Sequence, residues 1–267
     1  DTRQMPLSKN WIIVDIGSIY LNKLKDTTMK TLGMCIVAGL GLSACATGMG
    51  GMATGNTNQN NSSDNVVTQY PVETALLNIY TKQRSEKLIA TVGGQSVAAD
   101  IQTTPKGSMR FNNRMVQGAE VSTINTVNQQ ITDQSVAINY FTLDPLVFHG
   151  FTDSTGEYSI AKQTTSIPKM ATVGDSNQLI TENVYADSSM RQKTATYKQD
   201  WSLTQDTNNT AWLCIKTSGN LLLTSDAAGT SSECYKINAK GDVLSSKVTL
   251  TQPSKNGATK LMTFISQ

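Results

Sequence analysis

The residues of this chain that could do chemistry are few. His149 is the one histidine in 267 residues, and there are four cysteines. "GDSN" at 174–177 offers Ser176 as a nucleophile beside Asp175. Such a serine needs an Asp-x-x-His downstream to supply its base, and His149 lies upstream instead, in "VFHGF". The block therefore reads as a turn. "DSTG" at 153–156 is one residue too long for the Asp-Thr/Ser-Gly of a carboxylate-dyad protease, and it occurs once. Asp153 and Glu157 have the residue types of a glycoside-hydrolysing pair, but acids on either side of a β-turn are ordinarily solvated. A solitary histidine makes no metal site. Met49 and Met52 have neither a histidine nor further methionines beside them, so the sequence implies no cofactor, no metal and no catalytic residue.

Two cysteines are marked by position. Cys214 in "WLCIK" and Cys234 in "ECYKI" each stand out of phase with their apolar neighbours, Leu213 and Ile215 in one case and Tyr235 and Ile237 in the other. Both thus occupy the same type of strand face, as an inter-strand disulfide requires. Closing a loop of this size stabilises a fold by roughly 3 kcal/mol in the chain-entropy model. A redox or metal role is opposed by the lack of a C-x-x-C spacing.

Cys45 has a different setting. Met29-Lys30 introduces the uncharged run "TLGMCIVAGLGLSA" (31–44), too short to span a bilayer as a stable helix. The run ends in Leu42-Ser43-Ala44-Cys45, which resembles the lipobox of bacterial lipoproteins: an aliphatic residue, two small ones, then the cysteine that accepts diacylglycerol. The competing "LGMC" at 32–35 has a bulky Met34 before Cys35 and too little apolar sequence ahead of it. Residues 29–44 are therefore expected to be a signal peptide that starts at Met29, with 1–28 an upstream extension or misplaced start. Cys45 is expected to be lipidated. Ala46 rather than Asp follows it, which by resemblance to enterobacterial sorting implies the outer membrane. One acyl chain binds membranes only marginally and two or more anchor firmly. "ATGMGGMATGNTNQNNSSDN" and its continuation to residue 69 read as a flexible tether with an r.m.s. span of about 25–30 Å.

The elements that must position the folded part begin near Tyr70. "PVETALLNIYTK" (71–82) places Ala75, Leu76, Ile79 and Tyr80 at helical spacing behind Pro71 and Glu73, which predicts one short helix. Alternation dominates from there to the C-terminus. "EKLIATV" and "QSVAADI" flank Gly93-Gly94 as a hairpin, and ten further alternating segments run to "TKLMTFIS" (259–266), separated by turn clusters. No helical period falls between strands, so the fold class is all-β: one or more antiparallel sheets, as a sandwich or an open, curved barrel-like sheet. In "TATYKQDWSLT", Tyr197, Trp201 and Leu203 share one face, opposite Lys198 and Asp200. In "DVLSSKVTL", Leu244, Val248 and Leu250 oppose Ser245, Lys247 and Thr249. One dry and one wet face are expected throughout. Tyr140, Phe141, Phe148, Phe151 and Tyr158 cluster in sequence, as a core or as a groove lining.

Charged residues make up 16% of the chain, with a net charge of +2. That excess lies in residues 1–44, which hold five Lys/Arg against three acids; from residue 45 on there are 17 of each. No basic patch follows, which excludes the electrostatic footprint of a nucleic-acid binder. "YFTLDPLVFHGFTDSTGEYSIA" (140–161), "IPKMATVGDSNQLITENVYADSS" (167–189), "WSLTQDTNNTAWLCI" (201–215) and "ECYKINAKGDV" (233–243) resemble an uncharacterised family of β-rich lipoproteins and secreted proteins of Gram-negative bacteria. The resemblance runs from about Thr74 to Phe264 and implies an envelope β-domain with a paired-cysteine hairpin and no substrate; the domain itself is expected over residues 70–267. The expected function is that of an outer-membrane-anchored lipoprotein: a non-enzymatic binding, adaptor or structural module with an envelope protein or glycan as partner. The alternative is an envelope hydrolase acting on glycan or lipid through carboxylates. A buried acid pair would favour the hydrolase, and an exposed apolar or edge-strand patch the binding module.

Overall fold

A computed structural model describes residues 66–221, 230–253 and 259–267. The expected extension, signal peptide, Cys35, Cys45, Met49, Met52 and tether up to residue 65 lie outside the described residues. The rest is a meander of antiparallel strands with one helix. Helix α1 (Val72–Thr81) follows a two-residue strand β1 (Gln69–Tyr70), with Pro71 at its N-cap and Lys82 already extended at its end. Its Val72, Ala75, Leu76, Ile79 and Tyr80 form the apolar stripe that the i, i+3, i+4 spacing predicts, and all five are buried.

Twelve strands then run in chain order and close on themselves. They are β2 (Arg84–Val92), β3 (Gln95–Phe111), β4 (Arg114–Val127), β5 (Gln130–Leu143), β6 (Leu146–Asp153), β7 (Tyr158–Lys162), β9 (Ser176–Tyr185), β10 (Lys193–Thr207), β11 (Thr210–Leu221), β12 (Thr230–Asn238), β13 (Val243–Pro253) and β14 (Thr259–Ser266). The short β8 (Ala171–Thr172) leaves the barrel to pair with β1. The fold is therefore all-β with one short helix, and the sheet is a closed barrel rather than an open one. Closure depends on two narrow seams. β14 meets β2 through the pairs Ile265–Ile89 and Ser266–Leu88, and β6 meets β7 through Thr152–Tyr158.

Eight strands enclose an interior that side chains can just fill, and the diameter grows with strand number. A twelve-stranded barrel needs more filling, and α1 supplies it at one end. Its stripe packs with Phe141, Phe148, Leu179, Trp201, Leu203, Leu213, Ile215 and Ile237 from the inner faces of six strands. Turns at that end hold the helix. Asn78 Nδ2 donates to the Gly241 carbonyl at 2.9 Å, Lys82 pairs with Asp242 at 2.9 Å, and the Leu146 amide donates to Glu73 at 3.4 Å. Further along the barrel, Leu88, Val97, Ala99, Val248, Leu250, Met262 and Phe264 form a second apolar cluster across the β14–β2 seam.

Two strand phases depart from the sequence expectation. Leu244 sits at a register shift in the β12–β13 ladder and is exposed, so the inner face of β13 is Ser246, Val248 and Leu250. The β3–β4 hairpin also runs well past the barrel wall. A register shift at Pro105/Gly107, with Gly107 at φ +71°, lets its tip lie on the outside of the barrel. There Phe111 stacks on Tyr140 at 4.1 Å and on Tyr158 at 5.1 Å. Gly118 makes room for this layer, since a Cβ there would sit 2.3 Å from Met109 Sδ. The sequence cluster of aromatics is thus divided: Phe141, Phe148 and Phe151 face inward, Tyr140 and Tyr158 outward.

Candidate functional site

The residues singled out in the sequence serve the turns. Asp153 Oδ1 accepts from the Thr155 amide, the Thr155 hydroxyl and the Glu157 amide at 2.8–2.9 Å, an arrangement that folds the β6–β7 turn. Asp175 Oδ2 accepts from the Thr172 amide at 2.8 Å, and the Asp175 carbonyl accepts from the Leu203 amide. Ser176 is exposed at the start of β9. His149 lies half-buried on β6, with its pKa lowered by burial and then by the charge of Arg114. The structure brings none of these four together with another. Cys214 and Cys234 do come together: they are direct cross-strand partners on β11 and β12, bonded to each other, on the outer face. Among the described residues no group of three or more His, Cys, Asp or Glu could hold a metal.

The concentration of unusual chemistry is on the inner wall. Glu182 lies two residues from the inward Ile180 and Val184 in β9, and Glu233 lies two residues from Tyr235 and four from Ile237 on the inward face of β12. Each acid therefore points into the barrel. Glu182 is 6% exposed and Glu233 3%. Burial pushes the Glu182 carboxyl up to about 7, against a hydrogen bond from Ser159 Oγ at 2.6 Å that works the other way. Burial pushes Glu233 up to about 8, partly offset by the Tyr235 hydroxyl, which donates to it at 3.2 Å. Desolvation disfavours the charged form of a carboxyl, and neither acid has a cation close enough to reverse that. Tyr80, from the helix, is raised by burial and by the charges of both acids, which places it between them electrostatically.

Arg84 brings a guanidinium to this wall. Its Nη2 pairs with Glu86 at 3.1 Å, and its plane lies 5.1 Å from the centre of the Tyr235 ring. Glu86 also accepts a hydrogen bond from Ser246 Oγ. Among the described residues Arg84 Nε and Nη1 are buried without a hydrogen-bond partner, as are Asn125 Oδ1 and Nδ2, Asp133 Oδ2, Asn139 Nδ2 and Ser231 Oγ. Buried polar groups are nearly always paired, because leaving one unpaired costs about 1–3 kcal/mol. Ser159 organises one side of the wall: its hydroxyl donates to Glu182 and accepts from the Phe151 amide at 3.1 Å across the β6–β7 seam. That approach depends on Gly150, at φ +132°, where a Cβ would lie 2.1 Å from the Ser159 carbonyl oxygen.

The inner face is thus the buried one, as the alternation leads one to expect, but it is not uniformly apolar. The signal was available as phase: Glu182 and Glu233 are acids in the apolar register of their strands.

The outer face carries Asp100, Lys198, Asp200, Lys216, Lys236 and Lys247 within the strands. A barrel in lipid needs an apolar outer band there, so this wall faces water. No described helix is long and apolar enough to cross a membrane. Large apolar residues are exposed in places, among them Leu261 and Ile265 on β14. No family model matches the chain, and neither the curated proteins nor the solved structures contain a match.

Proposed function

We propose that the protein is a lipid-anchored envelope lipoprotein whose β-barrel binds a small polar ligand in its interior and does not catalyse a reaction. Lipidation of Cys45 and the tether behind it hold the barrel at the outer membrane, free to sample its surroundings. The observation that carries the binding reading is Arg84, a buried guanidinium with two donor nitrogens unspent beside the ion pair it already makes. Charged donors held this way recognise acceptors strongly.

The acid pair on the inner wall favours a second reading, a glycan hydrolase. Hydrolysis of that kind needs one carboxyl protonated and another ionised against the same bond. Glu182 and Glu233 are instead both raised, to about 7 and about 8, and both are enclosed. Glu86 is committed to Arg84 and Ser246. That balance supports holding a ligand over cleaving it.

The test has two parts. Mass spectrometry of the membrane-extracted protein is expected to find an N-terminal, acylated Cys45, and a soluble form beginning elsewhere would contradict the anchor. A fractionated low-molecular-weight envelope extract is expected to raise the thermal midpoint of the wild type and not that of Ser231→Ala. No stabilising fraction, or equal stabilisation of both proteins, would contradict the binding reading.

A further inference from the structure

We infer that the outer face of β11–β14 docks on an anionic phospholipid surface. The inference goes beyond the interior-binding reading and stands without it. Alternation turns Glu233, the acid of these four strands, to the inner wall, so among the described residues their outer faces carry no carboxyl. They carry Lys216 on β11, Lys236 on β12 and Lys247 on β13. At the border of the face, Asp206 from the end of β10 pairs with Lys236 at 3.0 Å, and Asp200 stands opposite Lys216. Lys247 lies farther in. Its cross-strand partners are Cys234 and Ile265, and its Nζ sits 4.0 Å from the centre of the half-buried Trp212 ring. Elsewhere on the barrel, Lys87 on β2 and Lys106 on β3 have Asp100 and Glu120 at 3.6 and 3.1 Å.

The same face exposes large apolar side chains. Leu244 on β13 is 54% exposed, and Leu261 and Ile265 on β14 are 65% and 59%. Ile265 stands beside Lys247 and, across the seam, beside Ile89, while Leu261 stands opposite Thr251. With strands about 4.8 Å apart and a rise of about 3.4 Å per residue, the face is about 14 Å wide and, from Leu244 to Thr251, about 24 Å long. Lysines are drawn to acidic headgroups, apolar side chains enter the boundary below them, and tryptophan favours that depth. A soluble polyanion would use the lysines and leave Leu244, Leu261 and Ile265 in water; a membrane surface takes both. Lysines within the strands rule out a spanning barrel, so the docking is peripheral. A lipidated Cys45 would hold the face within reach of such a surface and raise its effective concentration there.

The experiment measures cosedimentation of the full-length chain with vesicles of phosphatidylglycerol and phosphatidylcholine and with vesicles of phosphatidylcholine alone. Every protein carries Cys45→Ser, so that lipidation contributes nothing and all share one N-terminus. Binding is expected to favour the anionic vesicles and to weaken with salt. Lys216→Gln/Lys247→Gln is expected to weaken it about tenfold or more and to flatten the salt dependence. Lys106→Gln/Lys162→Gln removes the same charge from β3 and β7 and is expected to leave binding unchanged. Leu261→Ser/Ile265→Thr, at exposed positions, is expected to weaken binding about tenfold with the salt dependence kept. Thermal midpoints near that of the unsubstituted face confirm that each variant is folded. Equal binding to both vesicles, equal effects of the two lysine pairs, or no vesicle binding would overturn the assignment. Capture by dextran sulfate without vesicle binding would give the face to a soluble polyanion instead. A dimer in ultracentrifugation that Leu261→Ser/Ile265→Thr breaks would give it to a second copy of the chain. Failure here leaves the acylation of Cys45 standing, and an unacylated Cys45 leaves this result standing.

Discussion

Asp153 and Asp175 at the turns and Glu182 and Glu233 on the inner wall are four carboxyls in two kinds of surroundings. The turn acids accept backbone amides two to four residues away and fix the local path of the chain. The wall acids accept from the side chains of Ser159 and Tyr235 and sit among apolar neighbours. In the first setting hydrogen bonds to the backbone consume the acceptor capacity of the carboxylate. In the second, loss of water drives the carboxyl toward its neutral form. Acids drawn together by sequence patterns at turns thus prove structural, while Glu182 and Glu233, scattered through strands, are each enclosed on the inner wall. The comparison teaches that chemistry in a meander barrel is organised by strand phase, not by sequence proximity.

The comparison breaks most severely if the β6–β7 seam is forced apart, because that seam seats Ser159 against Glu182. Gly150→Ala places a Cβ against the Ser159 carbonyl in a left-handed backbone, and we expect a loss of about 3 kcal/mol or more. Urea denaturation measures it. A loss under about 1 kcal/mol would mean that the seam is not closed as described. The outer face offers a contrasting lesion. Replacing Cys214 and Cys234 by serine removes a crosslink between residues 20 apart in sequence and is expected to cost roughly 3 kcal/mol. The inner wall should be left intact, so the fall of stability with pH caused by Glu182 and Glu233 should be unchanged while the denaturation midpoint falls. The smallest effect belongs to the turns: Asp153→Ala and Asp175→Ala are each expected to cost about 1 kcal/mol, from the loss of turn hydrogen bonds, and to leave binding unaltered. A binding defect in either variant would blur the distinction between turns and wall.

Much of the barrel is legible in the sequence. The α1 stripe follows from Ala75, Leu76, Ile79 and Tyr80, and the cysteine pairing from the phase of Cys214 and Cys234 against their neighbours. The extension of β3 and β4 through residues 102–118 was hidden, because Pro105 and Gly107 read as breakers, yet the strand absorbs them at a register shift. Leu244 was hidden for a related reason: a bulge cancels alternation without marking the sequence. Closure could not be read at all. It depends on the accumulated stagger of twelve strands, and its final seam holds two residue pairs, Ile265–Ile89 and Ser266–Leu88. The wall acids were legible in principle, as polar residues in apolar phase. Arg84 was not, because it acts through Tyr235, a residue 151 positions away, which only the closed barrel brings near it.

The claim that the inner wall holds its acids neutral is tested most directly by the pH dependence of stability. Glu182 and Glu233 have folded pKa values of about 7 and about 8, above the usual 4.5. The folded state therefore binds more protons than the unfolded state between those limits, and stability must fall as pH rises through them. His149, held low by burial, contributes the opposite slope, but only below its unfolded pKa of about 6.5. Asp187, Asp206 and Asp242, all held below the usual carboxylate range, act at lower pH still. Denaturation free energies measured from about pH 6.5 to about pH 9 should thus fall by several kcal/mol in the wild type, and should stay nearly flat in the Glu182→Gln/Glu233→Gln double variant. A wild-type stability that is flat or rises across that window, or a double variant with the wild-type slope, would contradict the account.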